Sequence, residues 1–281
     1  MRLILGHIEN AYSNKTFRPP PNMAFADFVD HQLSLSRSTA AHHFWASYLY
    51  GASAGSLFNY DSITDPQQDC STTRRFQLPR RSNNSTMTVA TLVTAAWAKL
   101  IGRLANSPSD VVLGYVLTGR TTQQEGAQEI VGPLINRIPL RIRLGAQSMT
   151  GQEEDGEREA YSGYLKATQE ALLGIPASFE IMGMDHISSI SPEAHTVCNR
   201  LPMDLLVHPS SISGDDGLDL PGADAGLVPV AACAVASPPG RFAVEIELRA
   251  NDEISVTALW DGRAASQDEV EQVLGEYGEI I

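Results

Sequence analysis

Few residues in this sequence have types that could do chemistry, and their spacing argues against most of the reactions they suggest. Gly51-Ala-Ser-Ala-Gly55 has the wording of a G-x-S-x-G nucleophile elbow, in which a strand before the serine and a helix after it push the hydroxyl into the open. Here helical periodicity precedes the serine and a loop follows, so no activated nucleophile is expected. His42-His43 offers the side chain most often used as a general base. The pair lies inside a helical segment beside Phe44-Trp45, with no acidic or glycine partner at a workable spacing, and reads as surface or packing histidine. Asp215, Asp216 and Asp219 around Gly217 lack the alternation and closing glutamate of a calcium loop and read as a solvated turn. Cys70, Cys198 and Cys233 are far apart and outside any C-x-x-C spacing, which suggests neither a disulfide framework nor a zinc site and fits a reducing, cytoplasmic compartment. The sequence has no glycine-rich phosphate loop, no dinucleotide fingerprint and no H-E-x-x-H helix. Motifs alone therefore describe a soluble α/β protein with no catalytic residues of its own and no metal site.

Composition bounds the partners. At 43% hydrophobic residues, 281 residues can bury a sizeable core in one large domain or two lobes. A formal charge of -13 excludes an extended nucleic-acid surface and a basic membrane-adhesion face, both of which need concentrated Lys and Arg. Arg74, Arg75, Arg80 and Arg81 are a local exception, read as a solvated strand and turn or as a patch for an acidic partner protein. His7 and Glu9 interrupt the apolar start at Leu3-Ile4-Leu5, so no signal peptide is expected, and no run approaches the roughly 20 apolar residues of a membrane span.

The elements that must position any site follow from periodicity. Leu3, Ile4, Ile8, Ala11 and Tyr12 share one face of an uncapped helix, as a cut through a larger domain or a natural amino-terminal helix would leave. Pro19-Pro20-Pro21 is a rigid spacer, followed by short helices over residues 25–33 and 38–50. A strand is predicted over Arg74–Leu78. Thr88 caps the clearest helix, with Val89, Leu92, Val93, Ala96, Trp97, Leu100, Ile101 and Leu104 on its apolar face. Asp110–Leu117 has the continuous apolar character of an interior strand, and Arg137–Leu144 alternates as a second. Gly145–Glu159 reads as an acidic loop before a helix through Tyr164, Leu165 and Leu172, and Asp215–Asp224 as another acidic loop. Phe242–Leu248 and Ile254–Trp260 form a hairpin turning at Asn251-Asp252. Ser266 with Glu269 makes a capping box for a last helix through Val270, Val273, Leu274 and Tyr277. This order implies a mixed sheet covered by helices.

One stretch carries a family resemblance. Asp110-Val-Val-Leu-Gly-Tyr-Val-Leu-Thr-Gly-Arg120 and Ile130-Val-Gly-Pro-Leu-Ile-Asn-Arg-Ile-Pro-Leu-Arg141 closely resemble a core motif of condensation domains, the amide-forming units of nonribosomal peptide synthetases, and the Gly-Pro-x-x-Asn wording resembles the fungal type. Phe25-Ala-Asp-Phe-Val29, Phe44-Trp45 with Leu49, Ala95-Ala96-Trp97 and Ile175-Pro-Ala-Ser-Phe-Glu180 agree in order, the last with one residue inserted. The family's final motif has only a loose counterpart at Asn199–Leu206. The resemblance implies a chloramphenicol acetyltransferase-like α/β fold of two lobes around a tunnel in which two carrier-tethered thioesters meet. It implies that residues 1–36 are a remnant of the amino-terminal lobe and connector, and that residues 37–281 are the carboxy-terminal lobe. The family's H-H-x-x-x-D-G motif belongs just before a helix resembling Arg2 to Tyr12, so it is expected ahead of Met1 and the chain alone is expected to be inactive. Leu3, Ile4 and Ile8 would then expose apolar surface and favour association. Gly119, Arg120, Gly132, Pro133 and Asn136 are implied as a substrate-tunnel or floor loop; a turn that merely joins two strands explains the last three equally well. The implied partners are peptidyl carrier protein domains and the missing lobe or neighbouring synthetase domains, with no nucleic acid and no membrane. No cofactor is bound directly, phosphopantetheine being carried by the partners. Two other readings remain: a catalytically dead carrier-docking module, or a stand-alone acyltransferase using His42 or His43.

Overall fold

The computed structural model describes residues 25–79, 87–105, 109–117, 130–143, 153–176, 179, 182–209 and 241–281. The first expected helix, Gly119, Arg120, Arg80, Arg81, Cys233 and the Asp215–Asp224 loop lie outside them. In chain order the elements are α1 (Phe25–Leu35), α2 (Thr39–Leu49), β1 (Cys70–Gln77), α3 (Val89–Leu104), β2 (Asp110–Leu117), β3 (Asn136–Arg143), α4 (Glu153–Gly174), α5 (Met184–Ser188), α6 (Pro192–Asn199), β4 (Asp204–Pro209), β5 (Ala243–Leu248), β6 (Glu253–Trp260) and α7 (Gln267–Ile280).

The six strands make one mixed sheet in the order β1-β6-β5-β4-β2-β3. Its middle, β5-β4-β2, is parallel, and its outer pairs are antiparallel. Parallel neighbours are buried neighbours, and β2 accordingly buries the continuous run Val111 to Val116. The hairpin between β5 and β6 turns where expected, with Asn251 and Asp252 both left-handed at φ 59° and 57°, a conformation that Asn and Asp tolerate better than most residues.

One face of the sheet holds the core. Leu113, Ile138, Leu140, Leu205, Val244, Ile246, Val256 and Ala258 alternate inward against α3 and α7. Trp97 of α3 stacks on Tyr277 of α7, ring centroids 4.6 Å apart. Thr88 caps α3 by accepting from the Thr91 amide at 3.0 Å, and the Ser266–Glu269 capping box of α7 forms in both directions. The apolar stripe foreseen for α3 proves too narrow. Thr94, Ala95, Ala98 and Gly102 are buried as well, because the helix lies on the sheet with α4 and α7 packed against its other sides.

Two expectations are corrected and one unassigned stretch is filled. β1 begins at Cys70 rather than Arg74, because antiparallel pairing with β6 runs the full length from Cys70–Trp260 to Gln77–Glu253. The acidic stretch read as loop up to Glu159 is helical from Glu153, its Glu, Arg and Ala residues being good helix formers despite their charge. Residues 184–209, given no element in advance, form α5, α6 and the central strand β4.

Candidate functional site

The loop from Ile130 into β3 lies against α1. Ile130 and Leu134 form a small buried cluster with Phe28, and Phe25 packs on it. Gly132 is required by this contact, since a Cβ there would stand 2.4 Å from Cδ2 of Phe25. Pro133 is exposed on the same turn. Asn136 then donates from Nδ2 to the Met182 carbonyl at 3.1 Å, tying the start of β3 to the approach to α5.

The next residue, Arg137, donates from Nη1 to Oδ2 of Asp204 at 2.8 Å. Asp204 opens β4 beside Gly114 of β2 and is only 5% exposed. A Cβ on Gly114 would fall 1.9 Å from Oδ1 of Asp204, so the carboxylate fits only because that position is glycine. Three strands thus interlock through Gly114, Arg137 and Asp204. Burial pushes the Asp204 carboxyl up from its ordinary range, and the charge and hydrogen bond of Arg137 act against it.

Arg137 lines a cavity of about 520 Å³ at the ends of β2 and β3, walled also by Gln32 and Leu33 of α1, Val116, Ile135 and Asn136, and by Met184, Asp185 and His186 of α5. A second space of about 160 Å³ lies behind Arg137, among Cys198, Asn199, Asp204, Arg241 and Phe242. Burial raises the Cys198 thiol to about 12, which leaves it protonated and inert near neutral pH.

Of the five residues implied for the tunnel, Gly132, Pro133 and Asn136 sit on this wall or on the turn leading to it. Arg137 and Asp204 were not singled out in the sequence. The available signals were an aspartate inside the apolar run Leu201 to Leu206 and a glycine inside the apolar strand Val111 to Val116.

The other candidates show no catalytic arrangement. His42 sets Nε2 2.6 Å from the Ser36 carbonyl, and His42 and His43 are both exposed on α2. Ser53 follows a helix, as expected, and the strand an elbow needs is absent before it. Ser188 and His195 approach to 3.2 Å on the exposed surface, where Asn199 is the other ring partner. Among the described residues no three His, Cys, Asp or Glu side chains converge as a metal site, and no helix is long and apolar enough to cross a membrane.

A mixed sheet with helices on its core face and a polar-rimmed cavity at the strand ends is the architecture of one chloramphenicol acetyltransferase-like lobe. Solved structures share it. The crystal structure of holo T3CT matches with a TM-score of 0.75 at 22% identity, covering 100% of this chain and 59% of that one. The first condensation domain of the calcium-dependent antibiotic synthetase, in complex with a substrate analogue, gives 0.65 at 14%, covering 99% and 58%. The family model for the condensation domain matches residues 1–191, and the chain belongs to that family. It is 32% identical to HC-toxin synthetase of Cochliobolus carbonum over 96% of its length, and 29% identical to apicidin F synthase of Gibberella fujikuroi over 96%. The chain spans 5% of the length of each of those two synthetases.

Proposed function

We propose that this chain is the carboxy-terminal lobe of a nonribosomal peptide synthetase condensation domain, with residues 37–281 forming the lobe and residues 1–36 the last helix and connector of its companion. In the reaction the acceptor amine attacks the donor thioester carbonyl, a tetrahedral intermediate forms, the C–S bond breaks and the thiol leaves with the proton given up by the amine. The 281 residues contain no H-H-x-x-x-D-G, so the histidine that orients or deprotonates the amine comes from outside them. This lobe supplies the wall: the Gly132–Asn136 loop lines the tunnel, and peptidyl carrier protein domains bring the substrates. The observation that carries the reading is the cavity beside the Gly-Pro-x-x-Asn loop. Its volume of about 520 Å³ and its mixed wall, with Gln32, Asn136 and Arg137 among Leu33, Val116 and Ile135, suit a phosphopantetheine arm in which amides alternate with methylenes.

The test fuses the chain to the H-H-x-x-x-D-G-bearing lobe of a related synthetase and supplies donor- and acceptor-loaded carriers. An amide product detected by mass spectrometry in the fusion, and none from the 281 residues alone, is the expected result. A fusion that neither binds loaded carrier nor forms product would overturn the proposal. Carrier binding without product in any fusion would instead favour a docking module.

A further inference from the structure

Arg137 is a cation whose charge is already matched. Its Nη1 is held by the buried Asp204, and no other side-chain partner for its guanidinium occurs among the described residues. The side chain is 25% exposed and lines both cavities, so its remaining N–H groups are open to a ligand there. Asp204 is not part of the larger cavity's wall, its Oδ2 is taken by Arg137, and its Oδ1 lies beside Gly114 out of solvent contact. An anion brought to Arg137 would leave two negative groups facing one guanidinium, with Asp185 on the cavity rim and a chain charge of -13 adding to the repulsion. A neutral carbonyl oxygen takes the same N–H groups at no such cost; among the described residues the carboxamides of Gln32 and Asn136 and the apolar Leu33, Val116 and Ile135 complete the wall, with no second Arg or Lys and with His186 next to Asp185.

We propose that Arg137 is a specificity-determining residue that donates to an amide carbonyl of a neutral acyl chain, and that Asp204 positions it and makes the cavity reject carboxylate-bearing chains. This deepens the condensation-lobe reading and rests on it. The amide carbonyl belongs either to the pantetheine arm or to the acyl group it carries, and the probes separate the two sources.

The experiment titrates the 281-residue chain with pantetheine and with its butyryl, succinyl and N-acetylglycyl thioesters, following binding by calorimetry. With either source the succinyl probe is expected to bind weakest; if the acyl carbonyl is read, the N-acetylglycyl probe should bind about tenfold tighter than the butyryl one, the gain from one unshared hydrogen bond being of that order. R137Q should remove the N-acetylglycyl advantage if the acyl carbonyl is read. If the pantetheine carbonyl is read, R137Q should weaken all probes alike, pantetheine included. D204N frees the guanidinium charge, so it should raise succinyl affinity relative to butyryl, a reversal that general loosening of the fold would not produce. Should D204N fail to fold, the wild-type ranking and R137Q still decide the matter, with R200Q as an exposed control. Preference of the wild type for the succinyl probe, or an R137Q profile identical to wild type, overturns this proposal while leaving the lobe assignment standing. Absence of binding by every probe also overturns this proposal, and the lobe assignment is then decided by the fusion experiment.

Discussion

Two glycines show how much of the site rests on side chains that are not there. Gly132 lets the ring of Phe25 lie on the loop, and a methyl placed there meets Cδ2 at 2.4 Å and Cγ at 2.7 Å. Gly132→Ala should therefore destabilise by about 1–3 kcal/mol, as other overpacking does, and Phe25→Leu in the same chain should return part of it. Urea unfolding of the single and double variants measures both. Gly114→Ala should cost more, because its methyl displaces a buried carboxylate rather than a ring edge, and it should also slacken Arg137. The sequence made the positions of Gly132 and Asn136 legible through their motif wording, but not their reasons. Those reasons are Phe25 and the Met182 carbonyl, partners that become neighbours only when α1 and the approach to α5 close on the loop. The Arg137–Asp204 pair was illegible for the same kind of cause. It depends on strand register: β4 slots in beside β2 with Asp204 opposite Gly114, and β3 pairs with the other edge of β2.

At the level of elements, β3 is an edge strand, and α2 guards it. The Tyr48 hydroxyl donates to the Arg141 carbonyl at 3.1 Å and accepts from the Arg141 amide at 2.7 Å, occupying both backbone groups that Arg141 would offer a foreign strand. The Arg141 side chain completes the clasp, gripping the Asp110 carboxylate with Nε and Nη2 while Nη1 donates to the carbonyls of Tyr48 and Tyr50. Tyr48→Phe should thus cost about 1–3 kcal/mol by leaving two buried backbone groups without partners, and amide exchange at Arg141 should accelerate selectively. Ser266→Ala should cost about 1 kcal/mol in thermal or urea unfolding, since both halves of the capping box vanish together. Elements with a local signal were readable in advance: Thr88 and Ser266 as caps, Asn251-Asp252 as a turn, the apolar run of β2. Those that were not owe their existence to distant partners. β4 is a short strand made by the two parallel neighbours that flank it, and the first residues of β1 are strand because β6 is long enough to pair with them.

For the whole molecule, the ionisable pairs set a pH window for stability whose two ends have separate causes. Asp261 is fully out of solvent contact at the end of β6, accepting from the Gln67 and Arg263 amides at 2.8 and 2.9 Å and from the Arg263 guanidinium, and it pins the segment after Tyr60 to the sheet. The Arg263 hydrogen bonds hold its carboxyl far below the usual carboxylate range, and Arg200 and the Ser266 amide do the same more weakly for Asp61 and Glu269. A depressed folded-state value gives stability that is present above the unfolded value of about 4 and lost as pH falls through the folded one. Asp204, raised by burial, has the opposite sign and softens that loss. On the alkaline side, His208 has both ring nitrogens on acceptors, Nε2 at 2.7 Å from Glu245 and Nδ1 at 2.9 Å from the Pro209 carbonyl, an arrangement only the imidazolium satisfies. The hydrogen bond to Glu245 raises its value, so its contribution is complete below about pH 6.5 and disappears as pH rises through the folded value. The urea midpoint should accordingly be highest between about pH 5 and 6.5 and fall on both sides. Asp261→Asn should flatten the acid limb alone and His208→Gln the alkaline limb alone. Self-repulsion of a chain carrying -13 charges also weakens the fold toward alkaline pH, and salt separates the two effects. Raising ionic strength to about 0.5 M screens the long-range repulsion, whereas the half-buried His208–Glu245 contact persists, so the alkaline fall that remains in salt, and vanishes in His208→Gln, measures the pair itself.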